Sequence, residues 1–181
     1  MRSTCSERGT PRVPDATGLE LLAHDLRDAD PDAVADTAFF RNRAELMVNP
    51  DRTKPALAWL RERGYGFLAS LHGLDYYPEE PRLGVVYELL DMERVDRLSV
   101  KARVHTERAE LESVVELFPT ADFQEREVFD MFGVVFHGHP DLRRILMPED
   151  YEGFPQRRDF PVGGEPILFT YNEDQFPRWY E

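Results

Sequence analysis

Apolar residues recur along this chain with two periods, one typical of helices and one typical of strands. The clearest helical spacing lies in residues 17–29, where four side chains would share one face: Leu19, Leu22, Ala23 and Leu26. Asp30-Pro31 predicts the end of this helix, because the residue before a proline disfavours helical backbone. Asn49-Pro50-Asp51 predicts the start of a second helix, and Gly64 predicts its end.

Strand composition follows in several short stretches. Five of them are bounded by turn residues or charges: 33–40, 44–48, 66–77, 83–92 and 97–105. The last alternates most clearly, since Leu98, Val100 and Ala102 would point to one side and Ser99 and Lys101 to the other.

The pattern becomes helical again after residue 109. Residues 110–119 have the spacing of a short amphipathic helix that ends at Pro119, and Asp122 is the expected N-cap of a last helix that runs to Gly133. This order of elements predicts an α+β fold, with a mostly antiparallel sheet and helices on one face. We expect the other face to be open for a partner.

The remainder of the chain has no clear period, which predicts an extended irregular C-terminal arm over residues 136–181. Such a segment cannot satisfy its own backbone hydrogen bonds, so it must be solvated or held by other residues. Its aromatic content argues against disorder. We therefore expect a loose leader at residues 1–14, an α+β domain at 15–135 and an arm at 136–181 that docks on a partner protein.

Charge and composition exclude several classes of function. A formal net charge of −13 makes nucleic acid and anionic membrane surfaces poor partners. The single cysteine, Cys5, excludes a multi-cysteine cluster or zinc site within this chain. The sequence has no apolar run of about 18 residues and no signal-peptide pattern, so we expect no direct membrane insertion.

Carboxylates in the last helix are the first candidates for chemistry. At about 100° per residue, Phe123, Glu127 and Met131 fall in one sector, with Asp130 beside them, which predicts a buried Glu127. A buried carboxylate is either a general acid or base with a raised pKa or half of an ion pair. We favour the ion pair, because four arginines lie downstream to supply the charge: Arg143, Arg144, Arg157 and Arg158.

The sequence gives little support to other arrangements of catalytic or metal-binding residues. His137 and His139 could be half of a metal site, but imidazoles beside glycine and proline more often cap turns. The glycines lack the spacing of a phosphate-binding loop, and no nucleophile lies beside a base. A remote alternative is a free-standing acid–base or metal enzyme that uses four residues: Glu125, Glu127, Asp130 and His139.

Arginine and aromatic side chains in the arm are typical of protein interfaces. The paired arginines could instead neutralise acidic residues of the arm itself, namely Glu149, Asp150, Glu152 and Asp159, and the tail could fold back onto its own domain. Nine residues form the expected partner interface: Arg157, Arg158, Asp159, Phe160, Phe169, Tyr171, Phe176, Trp179 and Tyr180.

The segment from the last helix into the arm also resembles a known family. Ten residues are the fixed positions of the resemblance: Glu125, Arg126, Glu127, Asp130, Gly133, His139, Pro140, Asp141, Arg143 and Arg144. With Pro148-Glu149-Asp150 and residues 158–161, they resemble the signature of the 30 kDa subunit of respiratory complex I, which is the C subunit in bacteria. The departures are Phe129, where tyrosine is usual, Tyr151, where tryptophan is frequent, and Gln156, where leucine is common.

The resemblance implies a hydrophilic peripheral-arm subunit, on the cytoplasmic side of the cell membrane, without flavin or an iron–sulfur cluster. It would pack against the D subunit, which forms the quinone pocket with the B subunit, and lie among other peripheral-arm subunits. The whole complex would use NADH, FMN, iron–sulfur clusters and quinone, and would pump protons. No catalytic residue is implied on this chain, where the signature residues would pin the arm. An alternative is the equivalent subunit of a membrane-bound hydrogenase or of a complex with another electron donor.

Overall fold

The alternating stretches of the sequence form a five-stranded sheet. The computed structural model describes residues 16–41 and 43–161. The strands of the main sheet are β1 (Val34–Phe40), β2 (Arg43–Val48), β3 (Phe67–Asp75), β4 (Leu83–Asp91) and β5 (Asp96–Val104). All five predicted strands are therefore confirmed.

Strand order in this sheet is β1-β2-β5-β4-β3. Three of the four pairings are antiparallel, and only β2 and β5 run parallel, with Leu46 beside Val100. The parallel pair needs a crossover connection, which α2, β3 and β4 provide.

Three helices cover one face of the sheet: α1 (Ala16–Ala29), α2 (Thr53–Glu62) and α3 (Ala121–Phe132). A short 3-10 turn, Pro50–Arg52, precedes α2. Leu26, Leu57 and Val128, one from each helix, belong to the same core as Leu98 and Val100 of β5. The predicted α+β fold with helices on one face is confirmed. In the part of the chain that the structure describes, no helix combines the length and apolarity needed to span a bilayer.

Residues 110–119 do not form the predicted helix. Glu110–Glu112 is a strand, β6, which pairs in parallel with β7 (Val135–His137) in a two-stranded sheet. Leu111 is buried in the core beside residues of the following turn. Helical spacing over ten residues stabilises a helix only weakly, so pairing with β7 determines the conformation here.

Helix α3 packs closely on the edge strand β3. The ring of Phe132, at the end of the helix, lies against Gly73, where an added Cβ would be 2.4 Å from the Phe132 Cδ2 atom. Glycine at this strand position lets the helix approach the sheet, and this approach places the C-terminal end of α3 beside β3.

The opposite face of the sheet carries polar side chains. Lys101 forms a 2.6 Å ion pair with Glu45, and the Ser99 hydroxyl donates to Glu88 at 2.8 Å. These residues alternate with the core positions of β2, β4 and β5, as the period of two requires.

The close contact at Gly73 generates a prediction. We expect Gly73→Ala to lower the free energy of unfolding by about 1–3 kcal/mol, because the new methyl group must displace the Phe132 ring from a packed core. Denaturant unfolding of the purified chain measures the change. Gly66→Ala is the control, since a Cβ at Gly66 meets nothing within 4 Å. Equal stability of the two variants would contradict the packing argument.

Candidate functional site

The candidate site is the surface of α3 on which the described part of the C-terminal arm, residues 136–161, is bound. Its centre is the Asp130 side chain, which has no exposed surface. One Asp130 oxygen, Oδ2, accepts three consecutive backbone N–H groups, from Ile145 at 3.0 Å, Leu146 at 2.7 Å and Met147 at 2.8 Å. The other, Oδ1, accepts a 2.7 Å hydrogen bond from Arg144 Nη1. A single carboxylate therefore fixes the backbone of the arm over three residues.

These contacts decide the protonation state of Asp130. Burial by itself raises the pKa of this carboxyl, but the hydrogen bonds from Met147 N–H, Arg144 and the two neighbouring amides outweigh it and leave the pKa below its ordinary value. Asp130 is consequently ionised at neutral pH and is a poor candidate for a general acid.

Arg144 joins the helix to a later part of the arm. Besides its ion pair with Asp130, its Nη2 donates to the carbonyl of Gly153 at 3.0 Å. The guanidinium also lies over the rings of Tyr151 and Phe154, at 5.9 and 5.5 Å from their centroids. Arg144 therefore stabilises a loop of the arm as well as the contact with α3.

Arg126 supplies a second contact between α3 and the arm. Its Nε and Nη2 donate to the carbonyl groups of Arg143 and Arg144, at 3.2 and 3.3 Å. The guanidinium covers the exposed ring of Phe123 at 5.8 Å. Arg126 therefore binds carbonyl groups, and Asp130 binds N–H groups, of the same backbone segment, residues 143–147.

The C-terminal end of α3 is closed by the arm. Gly133 ends the helix with φ = 74°, and its N–H donates to the Phe129 carbonyl. A Cβ at Gly133 would lie 2.5 Å from the Phe154 ring, so glycine is required for close approach as well as for its backbone conformation. Arg157 Nε donates to the Phe132 carbonyl at 2.6 Å and satisfies one of the last acceptors of the helix.

A further attachment point lies on the sheet, at Arg82. Its guanidinium binds Asp75 through Nε at 2.8 Å and Nη2 at 2.7 Å, and it binds Asp159 through Nη1 at 2.9 Å and Nη2 at 2.8 Å. The Arg158 N–H donates to Asp75 at 2.8 Å. Arg82 lowers the pKa of both carboxyl groups, so both are ionised at neutral pH.

Sequence reasoning missed Arg82 and Asp75. The two residues lie on either side of the proline-bounded turn between β3 and β4, and Asp159 is distant in sequence. No local pattern connects them. The acidic residues of the arm proposed as partners of its arginines were Glu149, Asp150, Glu152 and Asp159. In the structure Asp159 is bound by Arg82 of the sheet, while Arg143 pairs with Asp141 and Arg144 with Asp130.

Two expectations for α3 were wrong. Glu127 is exposed, and the buried carboxylates of the helix are Glu125 and Asp130. The prediction used Phe123 as an apolar anchor, but Phe123 is 63% exposed, so the buried face is rotated toward Val128. Asp122 is not the N-cap, since the helix begins at Ala121.

Glu125 lies in a second buried polar group, beside His139. Its Oε1 accepts the Val114 N–H at 2.7 Å, and its Oε2 is 4.0 Å from His139 Nε2. The His139 Nδ1 accepts the N–H of Asp141 at 3.0 Å, so the ring proton is on Nε2, 3.1 Å from the Asp122 carbonyl. Burial raises the pKa of Glu125, while the Val114 hydrogen bond partly opposes this shift.

This pair does not form an accessible active site. The side chains of Glu125 and His139 have no exposed surface, and the structure gives Asp130 different partners and leaves Glu127 exposed. The four residues of the proposed free-standing enzyme therefore do not converge. Within residues 16–41 and 43–161, no group of three or more His, Cys, Asp or Glu side chains is placed to hold a metal ion.

The other predicted site residues lie on the outer side of the arm. Asp141 and Arg143 form a 2.8 Å ion pair, and both are exposed, as is Pro140. Arg158 is exposed, and the Phe160 ring stacks on Tyr151. The predicted leader and five predicted interface residues lie outside the described residues: Phe169, Tyr171, Phe176, Trp179 and Tyr180.

Comparison with known proteins identifies the family. The model of "Respiratory-chain NADH dehydrogenase, 30 Kd subunit" matches residues 46–166, which include the whole α3–arm contact. The chain belongs to this family. The C subunit of the NADH-quinone oxidoreductase of Roseiflexus sp. (strain RS-1) is 44% identical over 166 residues, which cover 90% of this chain and 93% of the relative.

Solved structures agree with this family assignment. The trypsin-resistant fragment (1–134) of Nqo5 is 33% identical with a TM-score of 0.61, over 68% of this chain and 98% of the fragment. A chain of the membrane-bound sulfane sulfur reductase, an archaeal respiratory membrane complex, is 25% identical with a TM-score of 0.65, over 87% and 90%. The predicted identity as an NADH–quinone oxidoreductase subunit is confirmed, and the relatives favour it over the hydrogenase-like alternative.

The Asp130 contacts predict that replacing this one carboxylate by an amide strongly destabilises the folded chain. Asp130→Asn keeps the shape of the side chain but replaces one acceptor oxygen with an amide, so it cannot bind both Arg144 and the three N–H groups. We expect the free energy of unfolding to fall by about 3 kcal/mol and trypsin to cleave faster after Arg143 and Arg144. Asp141→Asn, at an exposed ion pair, is the control and should change stability by less than about 1 kcal/mol. Equal losses of stability in the two variants would contradict the role given to Asp130 in binding the arm.

The raised pKa of Glu125 predicts a pH dependence. Above the unfolded pKa of about 4.3 and up to the higher folded value, the folded chain binds more protons than the unfolded chain, so this group lowers stability as pH rises. We expect Glu125→Gln to remove that decline, because its amide oxygen can still accept the Val114 N–H and it cannot ionise.

Unfolding curves recorded from the unfolded pKa, about 4.3, upward measure the difference. Glu127→Gln, at the exposed position of the same helix, is the control and should retain the wild-type slope. A Glu125→Gln profile that parallels the wild type would show that Glu125 is ionised throughout.

Proposed function

We propose that this chain is a peripheral-arm subunit that fixes the C-terminal arm on its own domain and presents it to the D subunit, the one at the quinone site. The binding of three consecutive N–H groups by Asp130 is the observation that carries the proposal. A backbone fixed in one conformation loses little entropy when a partner binds, so docking is favoured.

Side chains on the outer side of the arm supply the contacts. Leu146 is 60% exposed, and Arg143 and Arg158 are exposed as well. An exposed apolar side chain and exposed guanidinium groups on one segment suit a partner surface that carries both carboxylates and an apolar pocket. The signature residues behind them, from Glu125 to Arg144, act in this proposal as the structural lock that holds this surface in place.

The residues beyond the lock extend the same interface. We propose that the arm, residues 136–181, is one docking unit, in which Arg157 and Phe160 continue into the aromatic residues from Phe169 to Tyr180. The α+β domain, residues 15–135, is its support. Arginine and aromatic side chains are the residues that most often dominate binding energy at interfaces.

In the assembled complex this chain would have a structural role and would supply no catalytic residue. Electrons would pass from NADH through FMN and iron–sulfur clusters on other subunits to quinone, at a pocket formed by the D and B subunits, with proton pumping. The chain itself would hold no cofactor and would lie at the cytoplasmic side of the cell membrane as a peripheral subunit. The net charge of −13 agrees with binding to protein instead of to nucleic acid or an anionic membrane.

Charge reversal on the outer side of the arm tests this function. We expect Arg143→Glu or Arg158→Glu to weaken docking by roughly 2 kcal/mol, or about 30-fold, because each would place a carboxylate against the partner's carboxylates. Purification through a tag on this chain, followed by quantification of the co-purified D subunit, measures assembly.

The control is Arg108→Glu, an exposed arginine of the 3-10 turn after β5. Quinone reduction per assembled complex should be unchanged in every variant, since no catalytic group is altered. Normal assembly with lost turnover would contradict the proposal.

A further inference from the structure

A second surface, distant from the arm, lies at one end of the five-stranded sheet. We call it the arginine end: the end at which β1 and β4 finish and β2, β3 and β5 begin. Six exposed arginines lie there: Arg41, Arg43, Arg61, Arg63, Arg94 and Arg97. The C-terminal end of α2 belongs to it, since Gly64 lies against Asp91 at the end of β4.

Strand register places part of this set in one row. Phe40 pairs with Arg43 across β1 and β2, Leu90 pairs with Arg97, and Phe67 pairs with Leu90. Arg43 and Arg97 occupy adjacent positions, because each precedes a member of the β2–β5 pair formed by Ala44 and Leu98. The row therefore has an aromatic residue at each end, with two arginines and Leu90 between them.

This row faces away from the helices. Ala44, Leu89 and Leu98 are in the core, so their strand neighbours Arg43, Leu90 and Arg97 point to the opposite face of the sheet.

Large apolar side chains are exposed beside these arginines. Four of them are between 46% and 69% exposed: Phe40, Phe67, Met92 and Val95. Arg41 lies over the Phe40 ring at 5.1 Å from its centroid. Aromatic residues, methionine and arginine are the residues enriched in protein interfaces relative to the rest of the surface.

The two turns at this end have uncommon backbone conformations. Val95, between β4 and β5, has φ = 59°, and Arg41, after β1, has φ = 50°. A β-branched residue in the left-handed region is strained, and glycine would remove that strain. Asp91 fixes the Val95 turn by accepting the N–H groups of Glu93 and Arg94 at 2.9 and 3.0 Å. The turn therefore holds an exposed apolar side chain in place at a cost in stability.

Charge at this end is opposite in sign to that of the chain. The protein has a formal net charge of −13, yet the six arginines outnumber the four carboxylates of the same region: Glu62, Asp91, Glu93 and Asp96. Guanidinium groups bind carboxylates in a bidentate geometry, so the complementary surface is acidic. The exposed Phe40, Phe67 and Val95 require apolar side chains on it too.

We propose that the arginine end docks an acidic segment with apolar side chains from another subunit of the same complex. This inference rests on the proposed function, since it requires that the chain be an assembled subunit, but it concerns a surface separate from the arm. The arm and the arginine end would then fix the chain in the complex at two places. A lipid surface is disfavoured because the rest of the chain would be repelled by anionic headgroups.

Site-specific photo-crosslinking identifies the occupant directly. Val95→p-benzoylphenylalanine in the tagged chain, irradiated in native membranes that contain the assembled complex, is expected to form a crosslink to another subunit within a segment rich in Asp and Glu. The control position is Leu21, an exposed apolar residue of α1. Crosslinks to lipid, to a second copy of this chain or to no molecule would each overturn the proposal.

Paired charge reversals measure the contribution of the row. We expect Arg43→Glu/Arg97→Glu to increase loss of the chain from the complex in a salt wash by about tenfold. Arg52→Glu/Arg108→Glu, which makes the same change in charge at exposed positions near the opposite end of the sheet, should behave as the wild type. Wild-type retention of both double variants would overturn the proposal. If even the wild-type chain fails to co-purify with the complex, the proposed function fails as well.

Discussion

The Asp130 carboxylate is the interaction on which the arm depends. It is ionised, fully buried and bound by three successive amides and one guanidinium, an arrangement that elsewhere in proteins forms a binding site for an anion. Here the anion is a side chain of the protein and the binding loop is the arm. Loss of the charge would leave three partly buried amides and the Arg144 guanidinium without their acceptor, so this contact stabilises both α3 and the described part of the arm.

The remaining contacts extend this attachment along the arm. Arg126 binds carbonyl groups next to the amides that Asp130 accepts, Arg157 closes the end of α3, and Arg82 binds Asp159 to Asp75 of the sheet. Every one of these contacts pairs a charged side chain with the backbone or with an opposite charge. A segment without regular secondary structure is thereby given the hydrogen bonds that a helix or strand would supply internally.

Much of the fold could be read from the sequence, because strands with one buried face alternate visibly and because Pro31 and Gly64 mark helix ends. The failures have physical causes. The apolar spacing of residues 110–119 was overridden by pairing with β7, and the phase of α3 was misjudged because Phe123 is apolar but exposed. An ion pair between α3 and an arginine of the arm was expected from charge and helical phase, but it was assigned to Glu127, whereas the structure forms it between Asp130 and Arg144. Arg82 could not be found, because its partners are brought together only by the fold.

The parallel pairing of β2 with β5 has a consequence for the order of folding. Residues of α2, β3 and β4 all lie between these two strands in the sequence, so the pair closes a long loop. Such closure costs chain entropy before it contributes any contact, whereas the β3–β4–β5 meander is built from neighbouring segments. The meander can therefore nucleate by itself, and the β1–β2 hairpin, with α1 packed on it, is then added to an existing edge. The β1–β2 hairpin is then the last part of the sheet to pair during synthesis, although its residues leave the ribosome first.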